Sequence, residues 1–371
     1  MPETGSTSAS ELPDWAHLPE LVLHLISTKL KSFTDHVRFR AVCSSWRASS
    51  RKPCQLPWLM INDNRTKKKG FGLFYDLWES KMHKLYFSET THMACLASCQ
   101  GWLLLTASGG QEVLLLNPLT RGRIQLPPFN AGFKRHHVRQ MTFSTDLTDP
   151  NCLIMVLYYG MNMIHFCRVG EPCWTEVVGS GDGFANIYDA TYYDGRFYLL
   201  CPEGYMEIVE SKKPEQRIVH CFEPKLKYVR KFFLQENSGV YVIALCPIIY
   251  EDEVDSAAND TKEDTMKILK WKIELYQDKF QEQSLKLKQI TDTNNMALFC
   301  DSNGFYLAVC SDDWDLADYV GGNYIHVRGP LTEPCYRIYS TKLDNGKSQV
   351  VYDIDADRHI KSLTWFQPSC V

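Results

Sequence analysis

Four times along this chain a glycine is followed closely by aromatic and aliphatic residues: Gly101-Trp102-Leu103, Gly195-Arg196-Phe197-Tyr198, Gly239-Val240-Tyr241 and Gly304-Phe305-Tyr306. The interval from 101 to 195 is 94, two steps of 47. From 195 to 239 it is 44, and from 239 to 304 it is 65. The longest interval holds an acidic stretch, residues 251–265, with seven acids and one lysine. Taking out about 20 residues there restores the step. The missing beat near 150 is filled by the strand-like Cys152-Leu153-Ile154-Met155-Val156. A repeat in the mid-forties is one supersecondary unit stacked on its neighbours, and this length fits a four-stranded propeller blade.

Short runs rich in Leu, Ile, Val, Tyr and Phe recur between Gly, Pro, Asn and Asp after Gln55, as strands do. Examples are Trp102–Leu105, Val113–Leu116, Leu153–Tyr159, Phe197–Leu200, Tyr241–Leu245 and Phe305–Val309. Asp194-Gly195 and Asn345-Gly346 suit tight hairpins. About 315 residues then make six or seven blades. A β-sandwich or barrel assembly is the competing architecture.

The N-terminal stretch 14–50 reads differently. Pro19 suits a first helical turn, and Val22, Leu25, Ile26 and Leu30 follow at helical spacing behind Leu18, with Leu21 and Leu23 widening the apolar face. Thr34 is the expected N-cap of a second helix. Val37, Ala41 and Val42 would line one side of it, Arg38 and Arg40 the other. A third short helix carries Cys43 and Trp46 before a break at Lys52-Pro53. Such a unit of about 40 residues rarely builds a sufficient core. It must pack on the rest of the chain or be completed by another protein.

Composition narrows the classes. Among 371 residues, 44% are hydrophobic and 12% aromatic, enough for a large core. Lys and Arg number 40 against 44 Asp and Glu, a formal charge of -4, which gives no support to a generic nucleic-acid binder, usually strongly basic. Fourteen cysteines contain no C-x-x-C pair and are too dilute for a secreted disulfide scaffold, so reduced thiols in the nucleus or cytoplasm are expected. Residues 1–10 are polar, lack a secretory pattern and are expected to be a disordered tail. The longest apolar run, Val240–Tyr250, is interrupted by Pro247 and far short of a membrane span.

The string Leu18-Pro19-Glu20, a helix ending in Lys29-Leu30, then Val37-Arg38-Phe39-Arg40-Ala41-Val42-Cys43 and Trp46-Arg47 resembles the plant form of the F-box. The resemblance implies docking on the Skp-family adaptor of SCF-type cullin–RING ubiquitin ligases. It places Leu18, Pro19, Leu23, Ile26, Leu30, Val37, Val42, Cys43 and Trp46 at the family's adaptor-facing or core positions, without separating the two kinds. Gly101-Trp102-Leu103, Leu116-Asn117-Pro118-Leu119-Thr120, Leu126-Pro127-Pro128, Phe166-Cys167-Arg168 with Trp174-Thr175-Glu176, and Asn303-Gly304-Phe305 resemble the KIB-type β-propeller that follows many plant F-boxes. The implied fold is α+β multidomain: a three-helix F-box over 11–52, then an all-β propeller of six or seven blades over 53–371, with a disordered acidic insertion at about 251–265. Recurring Trp-Asp dipeptides are missing, which argues against ordinary WD40 blades.

Chemistry is scarcely announced. His92, Cys95 and Cys99 have no evident fourth ligand for zinc and read as buried thiols beside a histidine. Residues 133–139 mix bases with an aromatic and read as a solvated loop; residues 65–70 read as a charged hairpin tip between Met60-Ile61 and Phe71 rather than a localisation patch. The carboxylates at 312–318 do not match an EF-hand loop. There is no G-x-S-x-G, P-loop or H-E-x-x-H motif.

The leading expectation is therefore a non-catalytic substrate receptor of a ubiquitin ligase, needing no cofactor or metal. Its head would bind the adaptor, and through it cullin and RING subunits. Its propeller would hold an unidentified target protein, with no nucleic-acid or membrane partner. The alternatives are an F-box protein acting outside a ligase, by sequestration or scaffolding, and a propeller enzyme with an accessory head.

Overall fold

The computed structural model describes residues 15–30, 32–50, 57–63, 70–77, 79–129, 138–158, 163–178, 187, 189–201, 205–214, 217–221, 230–236, 239–248, 270–281, 284–290, 296–301, 304–310, 324–328, 336–342, 348–354 and 360–369. The expected N-terminal tail, the acidic insertion, residues 64–69 and 130–137, the 312–318 carboxylates and Asn345-Gly346 lie outside them. The chain divides into two units, Met1–Gln55 and Leu56–Val371.

The second unit is an all-β propeller. Its described strands form six sheets. The second sheet holds four consecutive strands, as do the third, fourth and fifth, while the first and sixth differ. The first contains β1 (Trp58–Asp63), β2 (Phe71–Asp76) and β3 (Lys81–Tyr86), plus a strand returning from the far end of the chain. The second has β4 (Ala94–Cys99), β5 (Trp102–Thr106), β6 (Val113–Leu116) and β7 (Arg123–Leu126). The third has β8 (Val138–Phe143), β9 (Leu153–Tyr158), β10 (Met163–Arg168) and β11 (Thr175–Val178). The fourth has β12 (Asp189–Tyr193), β13 (Arg196–Leu200), β14 (Tyr205–Glu210) and β15 (Arg217–Cys221). The fifth has β16 (Arg230–Glu236), β17 (Gly239–Ile248), β18 (Lys270–Gln281) and β19 (Ser284–Ile290). The sixth has β20 (Met296–Asp301), β21 (Gly304–Cys310), β22 (Tyr324–Arg328), β23 (Tyr336–Lys342) and β24 (Ser348–Ile354), in the order β21-β20-β22-β23-β24. There β20 and β22 run parallel, while every other pairing is antiparallel.

The apolar runs follow from this stacking. All six residues of β9 are buried. Ile154, Val156 and Tyr158 join a core with Leu104 and Leu115 of the second sheet; Leu153, Met155 and Leu157 join another with Phe197, Leu199 and Val209 of the fourth. Side chains alternate across a strand, so a central strand sandwiched between two sheets must be apolar on both faces. Each Gly-aromatic mark stands at the start of the second strand of its sheet in chain order, Gly101 and Gly195 just before it and Gly239 and Gly304 as its first residue. Gln100 (φ 45°) and Gly101 (φ 84°) turn β4 into β5, and Asp194 (φ 45°) and Gly195 (φ 80°) turn β12 into β13. Two successive positive φ values make the hairpin turn that matches strand twist, and glycine takes the second without steric cost.

The ends of the unit meet in one sheet. The last strand, β25 (Ile360–Phe366), pairs antiparallel with β1, placing Leu59 opposite Trp365 and Trp58 opposite Phe366. Ser98 Oγ donates to Trp365 O at 2.8 Å, and Asn117 Nδ2 donates to Ser369 O at 3.1 Å, tying the C-terminal segment to the second sheet. The buried Trp365 ring meets Phe299 of the sixth sheet edge-on at 5.4 Å.

The first unit is a single turn (Trp15–His17) followed by α1 (Glu20–Lys29), α2 (Phe33–Ala41) and α3 (Ser44–Ser49). Among the described residues no helix is long and apolar enough to cross a membrane.

Candidate functional site

The helical unit has a small core of its own. From α1 come Leu23 and Ser27, from α2 Phe33, His36 and Phe39, and from α3 Ser49, all buried. The N-cap of α2 is Ser32, whose hydroxyl accepts from Thr34 N at 3.1 Å, and not Thr34 as the sequence predicts. The inward face also differs from the expected one. With 3.6 residues per turn, Phe33, His36, Phe39 and Arg40 share one arc. The large aromatics occupy the interior, while Val37, Ala41 and Val42 are exposed. Arg40 is half-buried and donates to Ser50 Oγ at 2.7 Å. Arg38 is exposed and pairs with Asp35 at 3.1 Å.

Trp46 links the pieces. Its ring lies 4.6 Å from that of Phe39, and its indole N–H donates to Trp15 O at 2.9 Å. Ser45 Oγ donates to Ala16 O at 3.3 Å. Cys43 stands just before α3, and its contact with the Ser45 hydroxyl holds the thiol below its usual range.

The nine residues singled out from sequence thus separate. Leu23 is core; Leu18, Leu30, Cys43 and Trp46 are half-buried; Pro19, Ile26, Val37 and Val42 are exposed. Four apolar residues outside that set, Trp15, Leu21, Val22 and Leu25, are exposed too. Leu21 stands 71% exposed and Leu25 56%. On α1 the pairs Leu21/Leu25 and Val22/Ile26 form two adjacent i, i+4 rows, while the inward row is Leu23/Ser27. The signal was present: α1 carries more apolar residues than one inward stripe can absorb. Seven large apolar side chains of this one short unit, Trp15, Leu21, Val22, Leu25, Ile26, Val37 and Val42, are exposed, more than scattered single surface residues would give.

The propeller offers buried chemistry. Tyr158 OH lies 2.7 Å from His165 Nδ1, and His165 Nε2 lies 3.4 Å from Glu176 Oε2. Burial pushes the tyrosine up and the imidazole down. Phe129 and Trp174 stack beside them at 5.1 Å, and Trp174 Nε1 donates to Pro127 O. Tyr158 and His165 are buried while Glu176 is exposed, and the three sit on neighbouring strands of the third sheet. Cys95 and Cys99 lie on β4 and His92 is exposed before it, and they form no three-ligand cluster among the described residues; burial raises the Cys99 thiol to about 12.

A family model described as KIB1-4 beta-propeller matches residues 74–353, more than half of the chain. Relatives in Arabidopsis thaliana include F-box/kelch-repeat protein At3g18720, 25% identical over 61% of this chain and 63% of that protein. F-box protein At4g00893 is 23% identical over 64% of this chain and 66% of its own length. F-box protein At3g56470 is 29% identical over 60% and 61%. The chain spans somewhat less than two thirds of the length of these relatives.

Proposed function

Since this chain belongs to the KIB1-4 beta-propeller family, whose relatives here are F-box proteins, we propose that it is the substrate receptor of an SCF-type cullin–RING ubiquitin ligase. The carrying observation is the seven exposed apolar side chains of the helical unit, which stand outside a core made by other residues. A Skp-family adaptor is the partner that covers them. Leu21, Val22, Leu25, Ile26, Val37 and Val42 are the docking set, with Pro19 beside them. Leu18, Leu23, Leu30 and Trp46 support it from within. The six sheets act as six blades whose loops hold a target protein in the nucleus or cytoplasm.

No residue of the chain does covalent chemistry in this reading. Holding the target beside a charged conjugating enzyme makes transfer effectively intramolecular. Reconstitution tests it: full-length protein, adaptor, cullin, RING subunit and conjugating enzyme are combined with a lysate from cells lacking the chain. Proteins ubiquitinated only when wild-type chain is added, and not with a Leu21→Asp/Leu25→Asp variant, support the proposal. Adaptor binding with no ubiquitinated product favours sequestration instead, and failure to bind the adaptor sinks both.

A further inference from the structure

The turn between β2 and β3 brings three metal-ligating side chains to one point. Asp76 closes β2, Glu79 sits in the turn, and His83 lies on β3 opposite Phe74, so His83 reaches diagonally towards Asp76 on the same face. His83 Nε2 is 3.5 Å from Asp76 Oδ2 and 3.9 Å from Glu79 Oε2. The ligand atoms of all three lie within 4.8 Å of one another, and they are the one such group among the described residues.

The two histidine–carboxylate spacings, 3.5 and 3.9 Å, lie close to those of a metal centre. Zinc bonds of about 2.0–2.1 Å in a tetrahedron set neighbouring ligand atoms roughly 3.3 Å apart. The histidine nitrogen is fully shielded from solvent and makes no hydrogen bond among the described residues, although two carboxylates face it. The nitrogen stands at ion-pair distance from both carboxylates yet hydrogen-bonds neither, a spacing that a cation about 2.0–2.1 Å from each atom would bridge.

The surroundings hold the ligands in place. Trp58 stacks on the imidazole at 4.6 Å with 7° between planes, and Asp76 Oδ1 accepts the Glu79 backbone N–H at 3.1 Å, orienting one ligand by the chain of another. Asp76 is buried, with Glu79 and His83 half-buried, so an ion would enter from the Glu79 side. One imidazole and two carboxylates suit a borderline divalent cation such as zinc, with a fourth position left for water or a partner's side chain.

We propose that Asp76, Glu79 and His83 form a divalent transition-metal site that clamps the β2–β3 turn of the first sheet. The full chain, stripped with chelator and titrated with zinc chloride, should retain one zinc per molecule after gel filtration, quench or shift the fluorescence of the stacked Trp58, and melt higher. Glu79→Gln, at the partly exposed turn, should fold normally yet weaken zinc retention by about 10–100-fold or more, and His83→Gln should do the same. Zinc absent from folded wild type, or retained equally by both variants, overturns the site; equal retention would place the metal on the cysteines instead.

Discussion

Replacing Leu21 and Leu25 together by alanine tests the docking surface most directly. The two side chains form one i, i+4 row on α1 and are 71% and 56% exposed. Full burial of a leucine contributes about 1.5–3 kcal/mol, so sealing the exposed parts of these two under a partner contributes roughly 2–4 kcal/mol in all. Alanine keeps one methyl of each side chain, so losing most of this should weaken adaptor binding by about 30-fold to several hundred-fold. Alanine is the best helix former, and neither residue supports the internal core, so the unit should keep its fold. Trp46→Ala would not serve, because its ring packs on Phe39 and its N–H holds Trp15; that change acts through folding. Leu23→Ala supplies the contrast. It is 1% exposed, and its loss should cost about 2–5 kcal/mol, enough to unfold so small a unit. Calorimetric titration of full-length protein with a purified Skp-family adaptor, alongside far-UV circular dichroism, reads both effects. A folded Leu21→Ala/Leu25→Ala variant that binds within about threefold of wild type refutes the assignment of this row to the interface.

Three further outcomes are expected. Trp365→Ala should remove about 3–5 kcal/mol by opening a cavity where the last strand meets the sixth sheet, seen as a lower melting temperature and faster proteolysis. His165 is buried and held below its ordinary value near 6.5 mainly by desolvation, against the opposing pull of Glu176, so the unfolded chain binds the extra proton first. Its contribution is intact above about pH 6.5 and fades as pH falls below it; melting curves of His165→Gln should lose part of the acid sensitivity of wild type, and identical pH slopes would contradict this. Iodoacetamide should alkylate Cys43 and the exposed Cys173 well before Cys99 and Cys167, whose thiols burial raises to about 12; bound adaptor should slow the reaction at Cys43.

The strands were legible because the propeller imposes one local rule on each sheet. A central strand must be apolar on both faces, so Val113–Leu116 and Leu153–Tyr158 stand out as uninterrupted runs. What stayed hidden depends on distant or register-dependent pairing. Nothing near Ile360–Phe366 says that it pairs with Trp58–Asp63, about 300 residues earlier in the chain. The parallel pairing of β20 with β22 breaks the meander without a local mark. Asp76, Glu79 and His83 are spaced as i, i+3 and i+7, which on paper resembles one helix face; only the hairpin register, with Phe74 opposite His83, brings them together.

The helical unit shows the limit most clearly. Apolar periodicity found its helices but could not tell which apolar residues face inward, because both a core stripe and a docking stripe recur every three to four residues. On α2 the bulk of Phe33 and Phe39 decided the matter: the larger rings fill the interior, and the β-branched Val37, with Val42 just past the helix end, is left outside. On α1 the inward row is only Leu23 and Ser27, and Ser27 satisfies its own hydroxyl on His24 O at 2.8 Å, a polar side chain at a core position. A unit under pressure only to fold would place leucine there and polar residues at 21 and 25. The inverse arrangement, serine inside and leucine outside, is accounted for if α1 is shaped by what binds its outer face.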